Sequence, residues 1–201
     1  MVTEIELKAR VNNSESLRRI LLEKALFLRE FEKKDCYWFS CDSTLPPVRV
    51  RAEKRIFPDR KEETLTLATY KSKKVVDGLE INDEREFSVD PVSEFEDFLK
   101  RMAFKPGRFK EKRGWAFSKD GITAELVEVI GLGWFIELEI TTDFTSAGMD
   151  SANSTSTDTV NEKNFAEERK RLLDLLSSLG ISKEAIESRY YSEMLSDTAN
   201  V

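Results

Sequence analysis

Glu4-Ile5-Glu6-Leu7-Lys8 alternates charged and apolar side chains at period two. Successive side chains of a strand point to opposite faces, so Glu4, Glu6 and Lys8 share one face and Ile5 and Leu7 the other. The pattern recurs in opposite charge at Val48-Arg49-Val50-Arg51. It returns at Glu84-Arg85-Glu86-Phe87, Phe109-Lys110-Glu111-Lys112 and Phe135-Ile136-Glu137-Leu138-Glu139. One such strand would be an ordinary exposed edge. Several strands that back a charged stripe with an apolar one must bury the apolar side under something. If the sheet closes into a barrel with helices outside, the charged stripes line a polar lumen. Carboxylates and cations facing one another in a tunnel suit a metal–polyphosphate ligand.

Composition bounds the reading. The 201 residues suffice for one sizeable domain. A formal net charge of −6 argues against general nucleic-acid binding, although 32 Lys and Arg leave room for a local basic site. No apolar run approaches the length of a membrane span, and the chain starts directly on a charged strand. A cytoplasmic location, with no membrane partner, is the default expectation. Cys36 and Cys41 are the only cysteines, poorly spaced for a disulfide and too few for a metal site, so two reduced, partly buried thiols are expected. With no histidine, His-based triads, His–zinc sites and histidine general bases are excluded. Chemistry here must use carboxylates, Lys, Arg, Tyr or a hard metal.

Along the chain, strands are expected at about 3–11, 34–40, 48–53, 63–71, 80–89, 108–117, 122–130 and 134–141. Asn13 or Ser14 caps a helix with Leu17, Ile20, Leu21, Ala25 and Leu28 on its apolar stripe. Asp90-Pro91 reads as cap and first helical residue of a helix reaching about 103 and ended by Pro106-Gly107. Asp120-Gly121 reads as a tight hairpin turn. Lys73 and Lys74 read as loop charges, and Trp38, Trp115 and Trp134 as packing residues. A Ser/Thr/Asn-rich stretch at about 143–163 predicts a flexible surface loop. Helices are expected at 165–179, closed by Gly180, and at about 183–195. The whole is a single domain over 1–195 with a frayed tail at 196–201. A faint repeat relates Glu6 and Lys8, a helix and Trp38-Phe39-Ser40 to Glu84 and Glu86, a helix and Trp115-Ala116-Phe117-Ser118. It suggests two strand–helix–strand halves around one barrel.

These residues resemble a known family. Glu4-Ile5-Glu6-Leu7-Lys8 is similar to the E-x-E-x-K signature of the CYTH superfamily, the triphosphate tunnel metalloenzymes. Arg49-Val50-Arg51 resembles its R-x-R strand, Thr69-Tyr70-Lys71 its T-[YF]-K strand end, and Lys110-Glu111-Lys112 its K-x-[KR] strand. Gly131 to Glu139 resembles its G-L-G-x-F-x-E-x-E segment, and Ser188 to Leu195 the closing motif of the CyaB branch, the class IV adenylate cyclases. The resemblance runs from residue 4 to about 195. It implies an α+β fold: a closed eight-stranded antiparallel barrel, the triphosphate tunnel, flanked by helices. It also implies metal-dependent chemistry on triphosphates, whether cyclisation of ATP or hydrolysis of thiamine triphosphate or tripolyphosphate. The chain departs from the pattern at Val127, where the family commonly has a tunnel-facing Asp, and at Asn82, where Arg is usual. The 143–163 loop is also longer than typical. Glu125, two residues from Val127 on the same face, is the candidate substitute.

The chemistry of these types supports that reading. Mg²⁺ and Mn²⁺ prefer oxygen ligands. Glu4 and Glu6, about 7 Å apart along one strand, and Glu137 and Glu139 along another are the candidate metal ligands. Four carboxylates across a narrow barrel would raise one another's pKa unless cations intervene. Lys8, Arg49, Arg51, Lys71, Lys110 and Lys112 are the candidate triphosphate-binding cations. Glu4, Glu6, Lys8 and Lys71 are the candidate catalytic set. Glu84, Glu86 and Glu125 are further tunnel acids, the first two as metal contacts or as salt-bridge partners of the cations.

Four functions stay open. The first is a cyclase turning ATP into cyclic AMP and pyrophosphate. The second is a hydrolase of tripolyphosphate or thiamine triphosphate. The third is a non-catalytic triphosphate binder, motivated by Val127. The fourth is an interaction module without phosphate binding. The expected partner is a small-molecule triphosphate, and the expected state a monomer or homodimer.

Overall fold

The computed structural model describes residues 3–76, 79–142 and 156–198, without the side chains of 3, 71–76, 83, 156–163 and 198. In chain order the elements are β1 (Thr3–Arg10), α1 (Ser14–Lys24), β2 (Leu26–Phe39), β3 (Val48–Ile56), β4 (Glu62–Val76) and β5 (Leu79–Ser88). There follow α2 (Val92–Arg101), β6 (Lys105–Lys119), β7 (Ile122–Val129), β8 (Gly133–Thr142) and α3 (Ser156–Ser178). A 3₁₀ turn (Lys183–Ala185) and α4 (Tyr191–Thr198) complete the chain.

The strands form a closed antiparallel barrel in the order β1-β5-β4-β3-β2-β6-β7-β8. Its register puts Glu6 opposite Glu80 on one side and Glu139 on the other. The main apolar core lies outside this barrel. Ile5, Leu7, Leu126, Ile136 and Leu138 point outward and are buried against Leu17 and Leu21 of α1 and Leu172 and Leu176 of α3. A smaller cluster sets Leu99 of α2 on Trp38 and Val50 of the opposite outer wall. Alternation thus puts the greasy face under the helices and leaves the charged face for the lumen.

Two positions show how tightly the wall is drawn. Gly114 on β6 leaves no room for a side chain, since a Cβ would stand 2.1 Å from the Leu126 carbonyl oxygen. Asp120 and Gly121 both have positive φ, 52° and 77°, as a tight primed hairpin turn between β6 and β7 requires.

Several boundaries differ from the sequence expectation. β2 begins at Leu26 and takes in Leu28, while Ala25 caps α1. Polar Glu30, Glu32 and Lys34 had masked this strand's early half, because they face solvent between buried Phe31, Lys33 and Asp35. Lys73 and Lys74 lie in β4, not in a loop. Asp90 caps nothing: the Asp90-Pro91 bond is cis, Pro91 is the N-cap, and no side chain caps α2. Pro106 and Gly107 lie within β6. Of the anticipated 143–163 loop, 143–155 lies outside the described residues, and from Ser156 the chain is already helical. The expected last helix is a 3₁₀ turn and then α4, which carries residues 196–198 of the anticipated tail; 199–201 lie outside the described residues. Both cysteines are free thiols, but Cys41 is exposed. The tryptophans pack as expected, Trp115 and Trp134 being stacked at 5.6 Å between ring centres. Among the described residues no helix is long and apolar enough to cross a membrane.

Candidate functional site: the barrel lumen

A cavity of about 580 Å³ runs inside the barrel, a size typical of small-molecule sites. Glu4, Glu6, Arg49, Arg51, Glu84, Glu86, Lys110, Lys112, Glu125, Glu137 and Glu139 all line it. The charges divide between two opposed walls. β8, β1 and β5 contribute Glu137, Glu139, Glu4, Glu6, Glu80, Glu84 and Glu86. β3, β2 and β6, across the ring, contribute Arg49, Arg51, Arg55, Lys33, Lys110 and Lys112.

The basic wall is held by carboxylates. Asp35, with no exposed side-chain surface, accepts two hydrogen bonds from Arg51 at 2.7 and 3.0 Å and pairs with Lys110 at 3.2 Å. Burial works against its charge, but Arg51 and Lys110 hold it well below the usual carboxylate range. Lys110 also donates to the Tyr37 hydroxyl at 2.9 Å. Arg49 donates to Glu84 at 2.9 Å and to the Thr69 hydroxyl at 2.9 Å, and that hydroxyl donates to Glu86. Glu84 and Glu86 therefore act as salt-bridge partners of the cations. Lys112 reaches across to Glu137 at 2.6 and 2.9 Å. Burial opposes the Glu137 charge, yet Lys112 keeps its pKa well below normal. Lys33 grips Glu125 at 2.7 and 2.8 Å, while burial lowers the Lys33 pKa.

The acidic wall differs. Burial, then the charges of Glu4, Glu6 and Glu125, push Glu139 up to about 8. A hard divalent ion suits such a donor set, since it would relieve this repulsion and takes carboxylate oxygens. Among the described residues, however, no three acidic groups stand ready as a coordination shell. Glu4, Glu6, Glu137 and Glu139 therefore fit such an ion in donor chemistry, without a preformed shell.

Other residues lie differently. Lys8 is off the cavity wall, buried and paired with Glu80, beneath the Tyr190 and Tyr191 rings. Lys71 lies on β4, and its side chain is outside those described. Asn82, cross-strand from Glu4, is fully buried, and neither of its side-chain polar atoms has a partner among the described residues.

Comparisons with known proteins converge on this architecture. No protein-family model matches the chain. A candidate adenylate cyclase of Methanocaldococcus jannaschii is 24% identical over 196 residues, 95% of this chain and 97% of that one. The PH1012 protein of Pyrococcus horikoshii has the same fold, with a TM-score of 0.67, 26% identity, and coverage of 96% of this chain and 99% of that one. HpAC1 of Hippeastrum, a candidate adenylyl cyclase with a dominant triphosphatase activity, matches with a TM-score of 0.62 and 17% identity, over 100% and 96% of the two chains. These likenesses show that the helix-flanked barrel is shared over nearly the whole chain.

Within this barrel, Val127 has no exposed surface. It packs with Phe31, Val129 and Phe135, and with Tyr191 and Met194 of α4. Strand alternation puts Val127 and Val129 on the same face as Thr123 and Glu125, so an apolar seam occupies the β7 side of the lumen where the family resemblance led us to expect an acid. Glu125 lines the cavity beside this seam and is gripped by Lys33 and, at 3.4 Å, by Arg29.

Sequence reading missed Arg29, Lys33, Asp35, Tyr37, Glu53, Arg55, Glu80, Arg108, Tyr190 and Tyr191. Most were visible in principle. Glu53 and Arg55 continue the parity of Arg49 and Arg51, and Lys33, Asp35 and Tyr37 alternate along β2. The strands had simply been cut short. Tyr190 and Tyr191 had no parity signal, because they reach the lumen from a separate element, and the Ser188 to Leu195 motif that contains them did not point to the lumen.

Proposed function

We propose that this chain binds a triphosphate with a divalent cation, Mg²⁺ or Mn²⁺, in the lumen and catalyses a reaction at phosphorus. The nearest chemistry is that of class IV adenylate cyclases, which turn ATP into cyclic AMP and pyrophosphate. The observation that carries the reading is the opposition of a basic wall to an acidic one across a single cavity. Arg49, Arg51, Lys110 and Lys112 would take the phosphate oxygens, Arg51 through a guanidinium whose direction Asp35 sets. Glu4, Glu6, Glu137 and Glu139 would hold the cation, which when bound adds charge neutralisation at the phosphates. Glu84, Glu86 and Asp35 keep the basic side chains extended and spaced before ligand arrives, so little reorganisation remains. In cyclisation the ribose 3′ hydroxyl would give its proton to a lumen carboxylate such as Glu4 or Glu6, its oxygen would bond to the α-phosphorus as the bond from that phosphorus to the bridging oxygen breaks, and pyrophosphate would leave with its charge on the basic wall. The relative from Methanocaldococcus, similar over nearly the full length of both chains, supports this reading. A cytoplasmic location belongs to the same proposal.

Hydrolysis is the second reading, favoured by the fold neighbour HpAC1 and its dominant triphosphatase activity. The same cations would serve a water attacking the terminal phosphorus. A panel of ATP, GTP, thiamine triphosphate and tripolyphosphate with Mg²⁺ or Mn²⁺, with products identified, separates the two. Cyclic AMP and pyrophosphate support the first reading, and orthophosphate the second. Binding without turnover of any of the four would leave a non-catalytic binder, and absence of binding would overturn the site itself.

A further inference from the structure

The two mouths of the lumen differ in chemistry. With antiparallel neighbours around a closed ring, one mouth collects the ends of β2 and β7 and the starts of β3, β6 and β8. There Phe39, Pro47 and Arg108 line the cavity, as do Tyr190 and Tyr191 at the start of α4. At the other mouth the lining is Glu4, Glu139, Arg29 and Arg55, with no aromatic ring among the described residues.

From the aromatic mouth inward, rings and cations alternate. The Arg108 guanidinium lies 5.8 Å from the Phe39 ring centre. Lys110 lies 5.4 Å from Tyr37 and 5.8 Å from Tyr191, and Lys112 4.7 Å from Tyr191. Arg108, Lys110 and Lys112 share one face of β6 and span about 14 Å of strand, the reach of an extended nucleoside triphosphate. The inner two cations have carboxylate partners in Asp35 and Glu137, whereas Arg108 makes no ion pair among the described residues. Phe39 is seated by the backbone beside it: a Cβ on Gly107 would stand 2.9 Å from two of its ring carbons. The ring is half-buried, one part against β6 and the rest open to the cavity.

We infer that Phe39 and Arg108, with Pro47 at the rim, form a subsite for the planar organic group of an organic triphosphate. The phosphates run inward from it along Lys110 and Lys112. A flat ring gains a guanidinium contact from Arg108 and stacking on Phe39, and the stacking is something a bare polyphosphate cannot use. The subsite rests on the function proposed above, because a lumen that takes no triphosphate gives the collar nothing to select.

Calorimetric affinities of the full chain for ATP, GTP, thiamine triphosphate and tripolyphosphate, with Mg²⁺ or Mn²⁺, test it in wild type, Phe39→Ser and Phe39→Leu. At least one organic triphosphate should lose about tenfold in Phe39→Ser, the scale of one stacked base, and less in Phe39→Leu. Tripolyphosphate should stay within about twofold in both, which also shows the variants to be folded. Phe39→Leu keeps apolar bulk against Gly107 and removes only the ring, so a folding defect in the serine variant does not decide the outcome. Equal losses on all four ligands in Phe39→Leu, or no loss on any, overturn the subsite. Wild type that binds tripolyphosphate but none of the organic three overturns it too and leaves the triphosphate site standing. Wild type that binds none of the four overturns the proposed function first.

Discussion

The wall centred on β1 and the wall centred on β2 bound the same cavity in opposite electrostatic states. On the β2 side each inner cation already has a carboxylate partner, as Arg51 and Lys110 have Asp35. On the β1 side Glu80, Glu84 and Glu137 also have cation partners, but burial, with the charges of Glu4 and Glu6 beside Glu139, pushes it up to about 8. A buried ion pair is costly to break, and a buried cluster of like charge is costly to keep. The basic wall therefore contributes to holding the barrel closed, whereas the acidic wall spends stability to keep a cation-seeking surface. Changes to the two walls should move stability and ligand affinity in different combinations.

The largest effect is expected at Arg51. Arg51→Ala strips the wholly buried Asp35 of its bidentate partner and should cost about 3 kcal/mol in urea unfolding, together with most tripolyphosphate affinity. A loss under about 1 kcal/mol would mean that the basic wall is not structural. Nearly as large is Val127→Asp, which sets a charge among Phe31, Phe135 and Met194 and should cost about 2–3 kcal/mol without raising activity. An activity gain would show that the seam can admit a working tunnel acid.

On the other wall, Glu6→Gln should leave unfolding of the ligand-free protein unchanged or slightly improved. It should nevertheless weaken Mg²⁺-dependent triphosphate binding about tenfold, or about 1.4 kcal/mol. Parallel losses in both measurements would erase the contrast between the walls. Glu139→Gln sharpens it through pH. A carboxyl raised to about 8 holds a proton in the folded protein that the unfolded chain has already lost above about 4.5. Stability accordingly falls as pH rises through that window, and the whole penalty is present above 8. Without metal, the variant should melt about 3–5 °C above wild type at pH 9 and within about 1 °C of it at pH 4.

The smallest effect belongs to a carboxylate outside the lumen. Hydrogen bonds from Arg189, then from Arg10, hold Glu187 down to about 2. Its contribution is present above the ordinary carboxylate pKa and lost as pH falls toward 2. Glu187→Gln should lower Tm by about 1 °C at pH 7, and the difference should vanish near pH 2.

Strand parity was legible in the chain itself. Glu4 and Glu6, Arg49 and Arg51, and Glu137 and Glu139 alternate with apolar residues, so each pair had to share a face, and that face had to be the one away from the helices. The same rule extends to Lys33, Asp35, Glu53 and Arg55 once the strands are drawn at full length. Partnership was not legible. Lys112 meets Glu137 and Lys33 meets Glu125 only because closure brings β6 across to β8 and β2 across to β7. Spacing along a strand says which way a side chain points and nothing about what stands opposite.

The sequence by itself determined the two faces of each strand, because alternation is a local property of extended backbone. Only the tertiary structure decided which charges neutralise one another, which carboxyl is forced to keep its proton, and that Tyr191 reaches the lumen from α4. Those outcomes depend on distance and dielectric inside a closed ring, and neither exists until the first strand has met the last.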